Sequence, residues 1–285
     1  MEVAHAYLDR WSPRWQQLCH RLAPRCANPD CVRATPWRRI RARSRGVRVQ
    51  GSWYCADDCL RYALTAALRR LVPPAERSVL PHRIPLGLLL LSRQQLAAEQ
   101  LQMALAAQRN AGHGKIGEWV QNLGFASEWQ VTAALARQWS CPLLPARLVP
   151  AAPLARPQIP ATLLKSFVMI PVRLVEPLSV LHVAFGGGVD YTVLYAMEQI
   201  TGCRTEACIT ARSAIARALQ ALPDHRGDAE LVFAPLEDHS DIARIIGNYC
   251  ERLSAYEIRM AWCRGNLWAR LLRIRNHPVD LLFAS

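Results

Sequence analysis

PLGLLLLSRQQLAAEQLQMALAAQ (residues 85–108) and KIGEWVQNLGFASEWQVTAALARQ (residues 115–138) are two versions of one pattern. Laid over each other, Gly87 meets Gly117, Leu90 meets Val120, Leu101 meets Val131, Leu105 meets Leu135 and Gln108 meets Gln138. Only residues 109–114 separate the copies. A tandem repeat this close in sequence implies two supersecondary units sharing one core, related by a local twofold. Two like half-sites suit a ligand that is itself twofold symmetric.

Each copy reads as a short helix, a turn and a longer helix. In the second copy Gly124 is the turn residue, Ser127 caps the long helix, and Gln130 three positions later completes a capping-box pattern. Val131, Ala134, Leu135 and Gln138 recur at three- and four-residue steps and make one face. The first copy places Gln94 at the turn and Ala97 at the cap, so its turn chemistry is weaker.

Working outward, the 285 residues divide into four segments. Residues 1–75 are rich in arginine and cysteine, and residues 80–147 hold the repeat. Residues 148–222 follow the proline-dense VPAAPLARPQIP (149–160), and residues 223–285 follow LPDHRGD. Residues 161–222 read as αββαβα: a short helix at Thr162–Ser166, strands Phe167–Val175 and Leu178–Phe185, a glycine loop (Gly186–Gly188), a helix capped by Asp190, a strand Arg204–Thr210 and a last helix opening at Ser213. The tail reads as a helix (Asp241–Leu253), then strands Glu257–Cys263 and Leu267–Ile274 about a turn at Arg264–Asn266, with Asn276–Phe283 as a third strand. The expected fold class is α+β. It comprises a zinc-stapled small head, a helical tandem-repeat subdomain, an αββαβα subdomain and a small α/β C-terminal module.

At 51% hydrophobic and 20% charged, the composition is ordinary globular material. The longest uncharged apolar run, Ile84–Leu91, is too short to span a bilayer. The opening MEVAHAYLDRWSP has neither the apolar core nor the cleavage pattern of a secretory signal, so a cytoplasmic protein without membrane insertion is expected. The formal charge of +13 is uneven: residues 1–80 hold 15 arginines against six acidic residues. Lys115 and Lys165 are the only lysines, an arginine bias that composition alone accounts for.

Cys26-x(4)-Cys31 and Cys55-x(3)-Cys59 form two close pairs of thiols. Four thiolates suit tetrahedral zinc, which favours soft sulfur ligands and closed structural sites. A segment this small and this basic gains folding free energy from such a staple. Cys19 and His20 are alternative ligands. The alternative to metal is four reduced thiols in a small core. Trp37–Arg48 (WRRIRARSRGVR) can meet phosphates, as in a nucleic-acid binder, or form a solvated face. Cys141, Cys203, Cys208, Cys250 and Cys263 lie in apolar segments and are expected as buried, inert thiols. His113 and His182 have no partner visible in the sequence. No Ser/His/Asp, Cys/His or paired-carboxylate pattern appears, so no enzymatic activity is expected.

The doubled pattern, L-G-x-x-L-L and then leucines closing on glutamine, resembles the N-terminal domain of type II secretion ATPases of the GspE class. The same domain, called MshEN, occurs in type IV pilus assembly ATPases. The following CPLLPARLV, LLKSFVMIPV, LHVAF and TGCRTEACI resemble its second half, so the resemblance covers residues 80–222. It implies cyclic di-GMP binding, one motif per guanylate half. In that scheme a leading arginine forks onto phosphate, the glycine admits the ligand, the leucines bed the purine and the glutamine bonds a polar edge. Carried over, the second copy offers Lys115, Ile116, Gly117, Val131, Leu135 and Gln138, and the first offers Leu86, Gly87, Leu101, Leu105 and Gln108. Pro85 stands where the first leading arginine belongs, with Arg83 two residues earlier; Lys115 keeps the charge of the second but not its fork. The tail, with Ala255–Arg259 (AYEIR), resembles the small β-rich subdomain that precedes the ATPase core.

No G-x(4)-G-K-[ST] occurs, and Gly112–Ile116 (GHGKI) lacks both the first glycine and the Ser/Thr for magnesium. The expectation is therefore a non-enzymatic regulator or adaptor of a type II secretion or type IV pilus-like machine, carrying the domain without its motor. It senses cyclic di-GMP or, alternatively, serves as a structural interaction module without nucleotide. A zinc-containing nucleic-acid binder is the third reading, with nucleic acid the least expected partner.

Overall fold

The computed structural model describes residues 25–31, 46–55, 57–71, 83–152, 154, 156–222, 229–236, 238–274 and 276–284. The elements run β1 (Val47–Val49), β2 (Ser52–Tyr54), α1 (Asp57–Arg70), α2 (Leu86–Ser92), α3 (Ala98–Ala111), α4 (Ile116–Asn122), α5 (Glu128–Gln138), α6 (Ala161–Ser166), β3 (Met169–Val175), β4 (Val180–Phe185), α7 (Tyr191–Thr201), β5 (Arg204–Ile209), α8 (Arg212–Gln220), β6 (Glu230–Phe233), α9 (His239–Arg252), β7 (Glu257–Cys263), β8 (Asn266–Leu272) and β9 (Val279–Ala284). They fall into two compact units, residues 74–227 and residues 1–73 with 228–285.

In the first of these, the repeat forms two helical hairpins that pack crosswise. Helix α2 lies on α5, and α3 lies on α4, so each copy's short helix pairs with the other copy's long one. Their shared core is Leu86, Leu90, Leu101 and Ala104 from the first copy with Val120, Val131 and Ala134 from the second. Leu90 and Val120, equivalent in sequence, are both fully buried. Burying one such side chain contributes about 1.5–3 kcal/mol. The glycines are packing residues. A Cβ on Gly87 would stand 2.6 Å from Leu101 Cδ1, and one on Gly117 would stand 3.0 Å from Leu86 and 3.1 Å from Val131. The bare backbone at these two positions lets the hairpins approach closely.

Turn chemistry follows the sequence. Gly124 takes φ +71°, and Gln94 is forced into the same left-handed region at +57°. Ser127 accepts from Gln130 N while Gln130 Oε1 accepts from Ser127 N, which completes the box. In the first copy Ala97 has no acceptor, yet Gln100 Oε1 still accepts from Ala97 N at 2.9 Å, so half of the box survives.

Residues 161–222 adopt the αββαβα order. Strand β4 is central, antiparallel to β3 and parallel to β5, with α7 as the crossover. Asp190 caps α7 through Thr192 N at 2.9 Å, and Gly202 ends it at φ +75°. Leu143 bridges Ile209, so the chain leaving α5 joins the edge of this sheet.

The second unit joins segments that lie apart in the sequence. Strands β1 and β2 form a hairpin, and β1 runs parallel to β7, giving a six-stranded sheet in the order β2-β1-β7-β8-β9-β6. The head and the tail, distinct segments on paper, therefore share one sheet. The reason is size: two three-residue strands cannot stand as an isolated hairpin. The apolar stripe of α1 (Leu60, Ala63, Leu64, Leu68) belongs to one core with Ile242, Ala243, Ile246 and Cys250 of α9. Strand β6 was not expected from the sequence, and the third tail strand starts at Val279 rather than Asn276. Within β8 and β9, Arg270 is buried beside Asp280 with two bonds of 2.7 and 2.8 Å, and Trp268 Nε1 donates to the same carboxylate. No helix among the described residues is long and apolar enough to cross a membrane.

Candidate functional site

Two sites emerge, one in each unit. The first is a cleft of about 740 Å3 between the second repeat copy and the αββαβα half. Lys115, Ile116, Gly117, Val131, Leu135 and Gln138 line one wall, and Leu86 reaches in from the first copy. The opposite wall is the loop Gly186–Gly188 with Arg212 and Ser213 at the start of α8. Seven of the twelve ligand-binding candidates thus share one hollow.

The other five do not line it. Arg83 lays its guanidinium 3.3 Å over the ring of Trp139. Gly87 and Leu101 are spent on each other in the core. Leu105 is 38% exposed on the bare flank of α3. Gln108 Nε2 donates to Gly114 O at 2.8 Å, and at the equivalent place Gln138 Nε2 donates to Ile84 O at 2.8 Å. Each closing glutamine therefore ties its long helix to the residue that precedes the other copy's leading position. The glutamine expected to bond a ligand edge has a scaffold role first. Gly117 is likewise filled by neighbouring side chains on its Cα side.

Several cleft residues were not singled out from the sequence. Glu128, the first residue of α5, accepts from Ser213 N at 2.8 Å and Ser213 Oγ at 2.6 Å. It caps α8, whose own N-cap Ala211 has no side-chain acceptor. Glu118 pairs with Arg212 and also accepts from Lys115 N at 3.2 Å. Trp139 closes one end, so near Gly188 that a Cβ there would stand 2.5 Å from its ring. The Gly-Gly-Gly triplet was a visible signal; the acidic caps act across tertiary distance, and no local pattern shows them.

A second hollow of this unit, about 820 Å3, is lined by Cys141, His182, Tyr195, Glu206 and Cys208 among others and contains no motif residue. His182, without a partner in the sequence reading, lies 3.6 Å from Glu206. His113 has its ring 6.3 Å from that of Trp119. Among the thiols expected as buried, Cys208, Cys250 and Cys263 are buried, whereas Cys141 and Cys203 are only half-buried. Burial pushes Cys208 and Cys250 up to about 12, which keeps both protonated and unreactive.

The second site is the cysteine cluster. The Sγ atoms of Cys26, Cys31, Cys55 and Cys59 all lie within 4.8 Å of one another, with Cys31 and Cys55 at 3.4 Å. Cys55 directly follows β2 and Cys59 lies in the first turn of α1, while the loop bearing Cys26 and Cys31 is held by Ala27 N donating to Trp53 O at 2.9 Å. Asn28 steers this loop. Its Oδ1 accepts from Asp30 N, and its amide donates to Cys59 Sγ at 3.3 Å. Burial first, then the neighbouring thiols, pushes Cys55 far above the usual thiol range; burial also raises Cys59 against the amide of Asn28. Four thiols this close resist ionising together. A divalent cation reverses that preference by taking the thiolates as ligands. A zinc ion with four bonds of about 2.3 Å sets its sulfurs about 3.8 Å apart, so the spacing and the all-sulfur donor set fit a metal ion. Cys19, His20 and most of the basic stretch 37–48 lie outside the described residues.

No family model matches the chain. A curated protein, the type IV pilus assembly ATPase PilB of Thermus thermophilus, is 32% identical over 150 residues. About half of this chain is a GspE N-terminal-like (MshEN-like) domain. The aligned stretch covers 53% of this chain, and the chain spans 16% of that relative's length. Among solved structures, MshE with cyclic di-GMP is 26% identical over 48% of this chain and 98% of its own, at a TM-score of 0.41. The N-terminal domain of XpsE is 23% identical over 47% and 91%, at 0.39. Within this chain the doubled motif and the matched second half that follows it, residues 80–222, carry the likeness to that domain.

Proposed function

We propose that this chain is a non-enzymatic, cytoplasmic regulator or adaptor of a type II secretion or type IV pilus-like machine, and that its cleft binds cyclic di-GMP. The observation that carries the reading is the convergence of Lys115, Ile116, Gly117, Val131, Leu135 and Gln138, the matched motif residues, on one hollow. Apolar Ile116, Val131 and Leu135 supply a bed for a purine face, and Lys115 supplies charge for a phosphodiester. The reciprocal glutamine bonds support a second reading, a structural interaction module whose motif residues serve packing alone.

Thermal unfolding with cyclic di-GMP, and with GTP as control, separates the two. A ligand held only by the folded state at 100 times its Kd adds about 2.7 kcal/mol, and a specific rise in Tm is expected. A Tm unmoved at millimolar cyclic di-GMP overturns the sensor reading and leaves the scaffold.

In the head, Cys26, Cys31, Cys55 and Cys59 would hold zinc as a structural ion, which contributes folding free energy when bound. One zinc per chain by elemental analysis is expected, with Cys55→Ser and Cys59→Ser losing it. A protein purified without metal whose Tm is indifferent to added zinc would show a plain thiol core instead.

A further inference from the structure

We propose that Arg212 supplies the phosphate-binding fork that both copies of the motif lack at their leading position. The inference rests on the cyclic di-GMP reading of the cleft and adds to it a residue outside the motif. Pro85 has no charge to offer, and Lys115 is a point charge that cannot hold a phosphate with two parallel bonds. Arg83, the nearest arginine in sequence, is stacked on Trp139. Arg212 lies on the cleft wall with its side chain 53% accessible, and its planar guanidinium has the fork geometry that phosphate favours.

Its backbone is set firmly. Gly186 comes so close that a Cβ there would stand 3.0 Å from Arg212 Cα. Lys115 Nζ approaches the next residue of the same loop, 3.8 Å from where a Cβ on Gly187 would stand. The glycine loop is therefore flanked by two cations, one from each wall, where a phosphodiester would meet both. Glu118 now occupies the guanidinium. Its carboxylate is an internal anion in the place a phosphate would take, and the ligand must displace it. Glu118 thus sets the affinity by competing, and Arg212 sets it by binding.

The experiment is isothermal titration of cyclic di-GMP into the full chain and into Arg212→Ala, Arg212→Lys, Glu118→Gln and Leu135→Glu. Arg212→Ala is expected to weaken binding about tenfold or more. Arg212→Lys should lose nearly as much, because the fork and not the charge is missing. Glu118→Gln keeps an acceptor for Lys115 N while releasing Arg212, so it should tighten binding several-fold. Unfolding midpoints without ligand check that the exposed Arg212 and Glu118 variants remain folded. If the wild type binds and Leu135→Glu abolishes binding while both Arg212 variants bind within about twofold of wild type, the assignment of Arg212 is overturned and the cleft reading stands. Absence of binding by the wild type overturns both.

Discussion

The two copies of the repeat have one backbone plan and opposite surroundings. The second faces the αββαβα half across a cleft, and at its rim Glu118 and Glu128 meet Arg212 and Ser213. The first has Leu88 and Ala98 at those positions, and its flank is bare, with Leu88 52% exposed. What the copies share is what the hairpin needs: the glycine, the buried aliphatic of the short helix and the closing glutamine. What they do not share is what the neighbourhood of one copy needs. A repeat read only for its agreements reports the scaffold; its disagreements report the site.

The comparison breaks first in the core, where the copies are expected to behave alike. Leu90→Ala should cost about 2–5 kcal/mol of stability by cavity formation, and Val120→Ala should cost the same unit a comparable part of this, measured by chemical unfolding. If only one of the pair is destabilising, the two hairpins do not share one core. Next come the packing glycines. Gly87→Ala is expected to cost about 1–3 kcal/mol by overpacking and to exceed Gly117→Ala, because the contact with Leu101 is tighter than those at Gly117. Equal costs would show that Leu101 yields without strain.

The turns sharpen the contrast. Gln94→Gly should stabilise by about 1 kcal/mol and Gly124→Ala should destabilise by a similar amount, since both positions are left-handed. Opposite signs in thermal unfolding would confirm that the first copy carries the strain. The smallest stability effect is expected at the glutamines: Gln108→Ala and Gln138→Ala should each cost about 1 kcal/mol. They part company on ligand, because only Gln138 lines the cleft. Loss of cyclic di-GMP binding in Gln138→Ala but not in Gln108→Ala is expected by titration, and equal losses would mean the glutamines act through the hairpins and not at the cleft.

Much of the helical unit was legible because its signals are local. The spacing of Val131, Ala134 and Leu135, the Ser127–Gln130 box and the turn at Gly124 sit within a few residues of one another, and each appears where expected. The αββαβα order was equally readable from the loop at Gly186–Gly188 and the helix cap at Asp190. The six-stranded sheet was not. Val47–Val49 is too short to show a period, and its partner Glu257–Ile258 lies some two hundred residues away. The site was half legible. Motif residues of the second copy could be named, but nothing in Glu128 says that it caps a helix beginning at Arg212, because that bond crosses tertiary space. The bonds of the glutamines were not legible for a related reason: a side chain that closes a repeat looks the same in sequence whether it bonds a ligand or Ile84 O.

The crossed glutamine bonds carry one more consequence. Helix α5 ends by bonding the chain just ahead of α2, and α3 ends by bonding the chain just ahead of α4, so neither hairpin contains the acceptor for its own closing glutamine. Because each short helix also packs on the other copy's long one, each copy is folded by the other, as protomers are in an obligate dimer. Here residues 109–114 tie the protomers together, and the pairing that would demand a high concentration in two chains becomes a property of every single molecule at any dilution.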